Sequence, residues 1–243
     1  MDLPADNPRM FAGDGEVSDV QGKALAEALG LDADGIYPSG DVAKASVEAR
    51  STTRYTLLVR AAKLVSSHGE FVCVIRDVSE TGLSVRLFHG VPQGDPVELH
   101  MPGGRCYELN HIWTRGNEAG FEFSKTVDVA TLINEAGEFP KRGLRLGLCF
   151  PVRVSTLTQS CEAIVENFSQ QGARFECDAH FAIDQTLRIE SAENGLKLGE
   201  LRAKVRWRRD RHYGVVFDDT LTLSDFARFA ARLQEPQLLN DAR

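Results

Sequence analysis

Two arginines, Arg50 and Arg54, stand four residues apart in the polar stretch Arg50-Ser51-Thr52-Thr53-Arg54. Each guanidinium is a planar fork of donors that can hold an anionic oxygen pair bidentately and stack on a flat ring. Two such forks on a polar lead-in can close over a small anionic ligand. Further on comes Asp77-Val78-Ser79-Glu80-Thr81-Gly82, which offers an acceptor-only carboxylate, a hydroxyl and a glycine within one turn. Taken alone this second pattern is ordinary turn chemistry, because Asp and Ser hydrogen-bond their own backbone.

The rest of the chain narrows the chemistry. It contains no Walker loop, dinucleotide glycine fingerprint, His-Glu-x-x-His pair or Gly-x-Ser-x-Gly elbow, so nothing argues for catalysis. His68, His89, His100, His111, His180 and His212 are scattered, with neither metal-ligand spacing nor a nucleophile to activate. The cysteines, Cys73, Cys106, Cys149, Cys161 and Cys177, are odd in number and form no Cys-x-x-Cys pair. They read as small buried core residues, free thiols of a reducing compartment, and no structural zinc site or cofactor is expected. The net charge of -7 disfavours a broad nucleic-acid interface. The basic run Arg202, Lys204, Arg206, Arg208, Arg209 and Arg211 reads as a solvated face. The acidic start Met1-Asp2-Leu3-Pro4-Ala5-Asp6 resembles no signal peptide, and no stretch approaches the roughly 18 apolar residues of a membrane span. A cytoplasmic protein is expected.

These residues need a scaffold to position them, and the hydrophobic pattern supplies one. Residues 1–45 are rich in Asp, Gly, Ala and Pro, with one helical patch at 21–29, and read as a mobile acidic tail. From Tyr55 the pattern becomes short alternating strands, such as Leu83/Val85/Leu87 and Val97/Leu99/Met101, divided by turn signals such as Pro102-Gly103-Gly104. The same grammar returns after Pro140 in Cys161/Ala163/Val165 and Leu201/Ala203/Val205/Trp207. Each half closes with a helical pattern, at 127–136 and at 223–233, where Leu223, Phe226, Ala227 and Ala230 share one face. Three segments follow: the tail 1–45, a first domain 46–137 and a second 138–243. Trp113 and Trp207 fall at inward positions and should pack in the cores. Arg60, on the first strand, should point outward.

The halves repeat each other. Asp77 to Gly82 is echoed by Asn167-Phe168-Ser169-Gln170-Gln171-Gly172 at an offset of 90, since 169 − 79 = 90. Trp113 with Gly120 is echoed by Trp207 with Gly214 at an offset of 94, since 207 − 113 and 214 − 120 both give 94. Two homologous modules follow, differing by four residues of loop.

The Arg-x-x-x-Arg segment ahead of a first strand, the Asp-x-Ser-x-x-Gly turn and the Trp then Gly-x-x-Phe ending together resemble the PilZ family. The resemblance covers about 48–136 and, more weakly, 140–235. It implies a mainly β protein of two tandem small antiparallel barrels, each with a flanking helix. It also implies a non-enzymatic receptor for cyclic di-GMP, whose two phosphates and two guanine edges suit arginine forks. On this reading Arg50 and Arg54 clamp the ligand, Asp77 accepts from guanine N–H groups, Ser79 adds a hydroxyl and Gly82 permits close approach. The second module offers a degenerate site, Lys141, Arg145, Asn167, Ser169 and Gly172, in which lysine cannot fork onto a guanine edge and Asn brings no charge. Occupancy would signal to a downstream protein partner. The rival expectation is that both modules have lost the ligand and act as a protein-interaction adaptor or homodimer scaffold.

Overall fold

The computed structural model describes residues 55–94, 96–133, 143–191 and 199–240, with backbone alone for 55–59. The tail, Arg50, Arg54, Lys141 and the end of the first helical pattern lie outside the described residues. The first domain runs β1 (Tyr55–Ser66), β2 (Gly69–Val78), β3 (Gly82–Leu87), β4 (Val97–His100), β5 (Cys106–Arg115), β6 (Glu118–Phe123) and a short helix α1 (Val129–Ile133). The second runs β7 (Arg145–Leu146), β8 (Phe150–Ser155), β9 (Ser160–Ser169), β10 (Gly172–Glu176), β11 (Thr186–Ser191), β12 (Leu201–Arg209), β13 (His212–Phe217), helix α2 (Leu223–Gln234) and a 3-10 turn, Pro236–Leu239.

In the first domain the strand order β1-β2-β3-β6-β5-β4 closes into a barrel through β1 and β4. In the second, β8-β9-β10-β13-β12-β11 repeats that order strand for strand, and β7 adds to the β9 side. The protein is therefore mainly β, with two six-stranded antiparallel barrels and a helix beside each. Closure gives each strand a partner on both sides over part of its length, where an open sheet of such short strands would leave two edges to solvent. The four-residue difference sits in one place. The β4–β5 connection is 101–105 and the β11–β12 connection is 192–200, five residues against nine.

Alternation builds each core. Leu83, Val85 and Leu87 face inward on β3 with Ser84 and Arg86 between them, and Phe150, Val152 and Val154 do the same on β8. The first core is largely aliphatic, and Val78, Leu83, Val85, Leu99, Leu109 and Leu132 lie in it. The second is aromatic around the fully buried Phe168, whose ring centroid lies 5.4 to 6.0 Å from those of Phe217, Phe226 and Phe229 and 5.7 Å from that of Phe150. Burying each such side chain contributes about 1.5–3 kcal/mol.

Helix α2 starts at Thr222, whose Oγ1 accepts from the Asp225 N–H at 3.0 Å and donates to Asp225 Oδ2 at 2.7 Å. Its expected face, Leu223, Phe226, Ala227 and Ala230, is buried, but so are Phe229 and Ala231. The additional face exists because α2 also docks on the first barrel, where Ala231 and Leu238 pack on Phe71. There the Gln234 side chain pairs with the backbone of Glu70, donating to its carbonyl at 2.7 Å and accepting from its N–H at 2.8 Å. Glu70 Oε2 in turn accepts from the Gly147 N–H at 2.7 Å.

Three expectations are corrected. Trp113 and Trp207 are not core residues but are 37% and 43% exposed. A β-bulge just before each, between His111 and Trp113 and between Val205 and Trp207, adds a residue and turns the ring to the outer face. There each indole lies over a glycine, so that a Cβ on Gly120 or Gly214 would come within 2.0 or 1.9 Å of the indole Nε1. Of the cysteines only Cys73 and Cys177 are buried, while Cys106 and Cys149 are exposed and Cys161 is intermediate. Burial pushes both buried thiols up, Cys177 to about 12. Arg60 shares the inward side of β1 with the buried Ala62 and Leu64, and its guanidinium donates to the last carbonyls of α1, Leu132 O at 3.2 Å and Ile133 O at 3.0 Å.

Candidate functional site

The turn between β2 and β3 carries the Asp-x-Ser-x-x-Gly pattern. Ser79 is buried, and its Oγ donates to Gly82 O at 3.1 Å and accepts from the Gly82 N–H at 3.2 Å, while its N–H also donates to Gly82 O at 2.8 Å. Gly82 cannot carry a side chain, since a Cβ there would sit 2.6 Å from Phe121 O on β6. The turn is fastened to the end of β6 by Phe123 N–H to Thr81 O and Val127 N–H to Glu80 O, each 2.9 Å.

The second copy repeats this frame. Ser169 Oγ donates to Gly172 O at 3.0 Å, a Cβ on Gly172 would meet Val215 O at 2.2 Å, and Phe217 and Leu221 N–H donate to Gln171 O and Gln170 O at 2.9 Å. Ser79 and Gly82 thus hold the turn together in the frame that both copies share, Ser79 Oγ donating one hydrogen bond and accepting another.

Asp77 is placed differently. It is the last but one residue of β2, across from Thr56 on β1 and Ser84 on β3, and its Oδ2 accepts from Ser84 Oγ at 3.0 Å. Ser84, which holds this carboxylate, is a residue that the sequence pattern did not single out. The pairing Tyr55↔Val78 brings the start of β1, one residue after Arg54, beside this turn. In the second copy the lead-in is itself a strand, with Arg145 opposite Ser169 and Leu146 opposite Phe168. Arg145 is exposed there, and Asn167 faces Arg174 on β10.

A second feature emerges only from the register. The ladder slips at Arg76, between Ile75 and Asp77, and equivalently at Glu166, between Val165 and Asn167. The bulge sets a charged residue next to each turn: a cation in the first copy and an anion in the second. Glu166 Oε2 lies 2.9 Å from Arg174 Nε and its Oε1 lies 3.5 Å from His212 Nε2.

The described helices include none long and apolar enough to cross a membrane. A family model described as PilZ domain matches residues 48–135 and again 141–234. No curated protein sequence matches the chain. Among solved structures the chain is similar to PlzA of Borreliella burgdorferi in complex with c-di-GMP, at 11% identity over 73% of this chain and 88% of that one, with a TM-score of 0.31. It is similar to Escherichia coli YcgR in complex with c-di-GMP at 10% identity over 76% and 88%, TM-score 0.31. It is also similar to the Bacillus subtilis inhibitor of motility MotI/DgrA at 12% identity over 76% and 98%, TM-score 0.32. Because the family model covers both barrels and well over half of the sequence, the chain belongs to the PilZ domain family and carries that domain twice.

Proposed function

We propose that the protein is a non-enzymatic cytoplasmic receptor for cyclic di-GMP, that the nucleotide binds the first barrel, and that a downstream protein partner reads its occupancy. The observation that carries this reading is one of register. β1 starts at Tyr55, the residue after Arg54 in the sequence, and Tyr55 pairs with Val78 beside the turn whose carboxylate, Asp77, accepts from Ser84. Two guanidinium forks and one carboxylate suit a ligand with two phosphates and two guanine edges. Ser79 and Gly82 contribute by shaping the turn. The second copy, with Lys141 for Arg50, Asn167 for Asp77 and Glu166 beside it, is the weaker candidate site.

Isothermal titration of the full chain with cyclic di-GMP tests the proposal. One equivalent should bind with an affinity near or below about 1 μM, roughly -8 kcal/mol. Replacing Arg50 or Arg54 by Ala should cost on the order of 1–3 kcal/mol each. Lack of binding at tens of micromolar ligand, or binding indifferent to both substitutions, would sink it in favour of the adaptor reading.

A further inference from the structure

The outer face of the first barrel brings together donors that are far apart in chemistry but close in register. On β4, Glu98 and His100 point to the same side, and across the hairpin β5 sets Cys106 directly opposite His100 and Glu108 directly opposite Glu98. The five-residue connection is held by Met101 N–H to Arg105 O and Gly104 N–H to Met101 O, both 2.9 Å, with Gly104 at φ +95°. His100 Nε2 lies 2.7 Å from Glu98 Oε2. One imidazole nitrogen, one thiol sulfur and one carboxylate oxygen from His100, Cys106 and Glu98 all lie within 4.8 Å of one another.

We propose that Glu98, His100 and Cys106 bind a single divalent ion of the zinc class. Zinc takes thiolate sulfur at about 2.3 Å and imidazole nitrogen or carboxylate oxygen at about 2.0–2.2 Å, which sets tetrahedral donors about 3.4–3.6 Å apart. Small rotamer adjustments bring the three groups to that spacing. Mixed soft and borderline donors favour zinc, or cobalt in its place, over magnesium or calcium. Three protein ligands leave a fourth position to water, and two of the three, Glu98 and Cys106, also line a cleft of about 540 Å³ with Arg105, Glu108, Lys125 and Asp128. Binding replaces the Cys106 S–H bond by a sulfur–metal bond and releases that proton to solvent, so affinity should rise with pH.

The second barrel serves as an internal control. At the offsets 90 and 94, the positions of Glu98, His100, Cys106 and Glu108 are taken by Arg188, Glu190, Glu200 and Arg202. The cross-strand pair Arg188↔Arg202 matches Glu98↔Glu108. There Glu200 Oε1 lies 3.6 Å from Arg188 Nε and 3.8 Å from Arg202 Nε, an ordinary surface ion-pair network. The barrel therefore does not require ligand-type residues at this face. A further acidic and histidine cluster, Glu166, Glu176 and His212, has no thiol, and Arg174 and Arg211 pair with its carboxylates.

The test is titration of the full chain, under reducing conditions, with cobalt(II) as a spectroscopic probe and then with zinc. One equivalent of cobalt should produce a thiolate-to-cobalt charge-transfer absorption that zinc abolishes. Cys106→Ser should lose that absorption, and His100→Ala and Glu98→Gln should each weaken metal binding about tenfold or more, on the scale seen when a site loses support. Far-UV circular dichroism and the unfolding midpoint of the metal-free variants should stay as in the parent, because these side chains lie on the outer face. Absence of a thiolate band in the parent protein overturns the proposal. So does a band that survives Cys106→Ser, which would place the metal at another thiol, or binding indifferent to His100→Ala and Glu98→Gln.

Discussion

The two barrels share their strand order, the bulge before the outer tryptophan and the hydrogen bonds of the β2–β3 turn, yet differ at nearly every position able to do chemistry. Ser79 with Ser169, Gly82 with Gly172, and Gly120 with Gly214 occupy matching geometry in both copies. Arg76 against Glu166, Asp77 against Asn167, and His100 with Cys106 against Glu190 with Glu200 do not. The contrast separates a motif into two halves. Serine and glycine hold the path of the chain in both copies, whereas the residue that opens the motif and its neighbour at the bulge differ in charge between them.

The sharpest break in the comparison is in the cores. Phe168 of the second barrel stands where the first has Val78, since 168 − 78 = 90, and four aromatic rings surround it. Phe168→Ala should cost about 3–5 kcal/mol, read as a shift of the denaturant midpoint. Val78→Ala removes fewer atoms and should cost less. Equal losses would show that the aromatic cluster is not the centre of the second core.

Next in size are the turn glycines. A Cβ would lie 2.2 Å from a backbone oxygen at Gly172 and 2.6 Å at Gly82. Because neither oxygen can swing aside as a side chain would, Gly→Ala should cost about 1–3 kcal/mol at each, more at Gly172. Both variants retain Asp77 and Asn167, so unfolding measurements isolate the structural half of the motif. A neutral Gly172→Ala would remove the steric account of that half.

The duplication was legible in the sequence because identical turn and Trp-Gly pairs recur at two constant offsets, and barrel geometry follows from the alternation of short strands. Orientation was less legible. A bulge changes the parity of a strand without changing its composition, so Trp113 and Trp207 read as inward and stand outward. The docking face of α2 was hidden because Ala231 looks like any small helix residue until Phe71 of the other barrel is beside it. The juxtaposition of His100 with Cys106 depends on a tight hairpin, not on any spacing that metal motifs share. For the candidate ligand site, the turn could be read in advance, but the opposite charges at Arg76 and Glu166 gained meaning only from the slipped register.

That charge reversal gives the third test. Arg76→Glu should weaken cyclic di-GMP binding about tenfold, or about 1.4 kcal/mol, and the effect should shrink as salt is raised. Conversely, Lys141→Arg, Glu166→Arg and Asn167→Asp together should give the second barrel a measurable equivalent of nucleotide in the same titration. An Arg76→Glu variant that binds as the parent does would confine the electrostatic difference between the copies to the clamp and the turn.

The gentlest test concerns the face where the barrels meet. His89 of the first barrel is buried beside Phe71, at 5.4 Å between ring centroids, and its Nδ1 donates to Gly90 O at 2.7 Å. The Gly90 N–H donates to Leu238 O at 2.7 Å, joining this corner to the chain beyond α2. The equivalent position of the second barrel is Ala179, since 89 + 90 = 179. Burial holds the His89 imidazole below its ordinary value of 6.5, against the smaller upward pull of the Gly90 and Val72 backbone and of Glu235. The unfolded chain therefore takes up a proton that the folded chain resists, and stability present above pH 6.5 should be lost as the pH falls below that value toward the folded pKa. The thermal midpoint of the parent should drop between pH 7 and pH 5 by more than that of His89→Gln. Parallel slopes for the two proteins would mean that the acid response arises elsewhere than at the junction of the barrels.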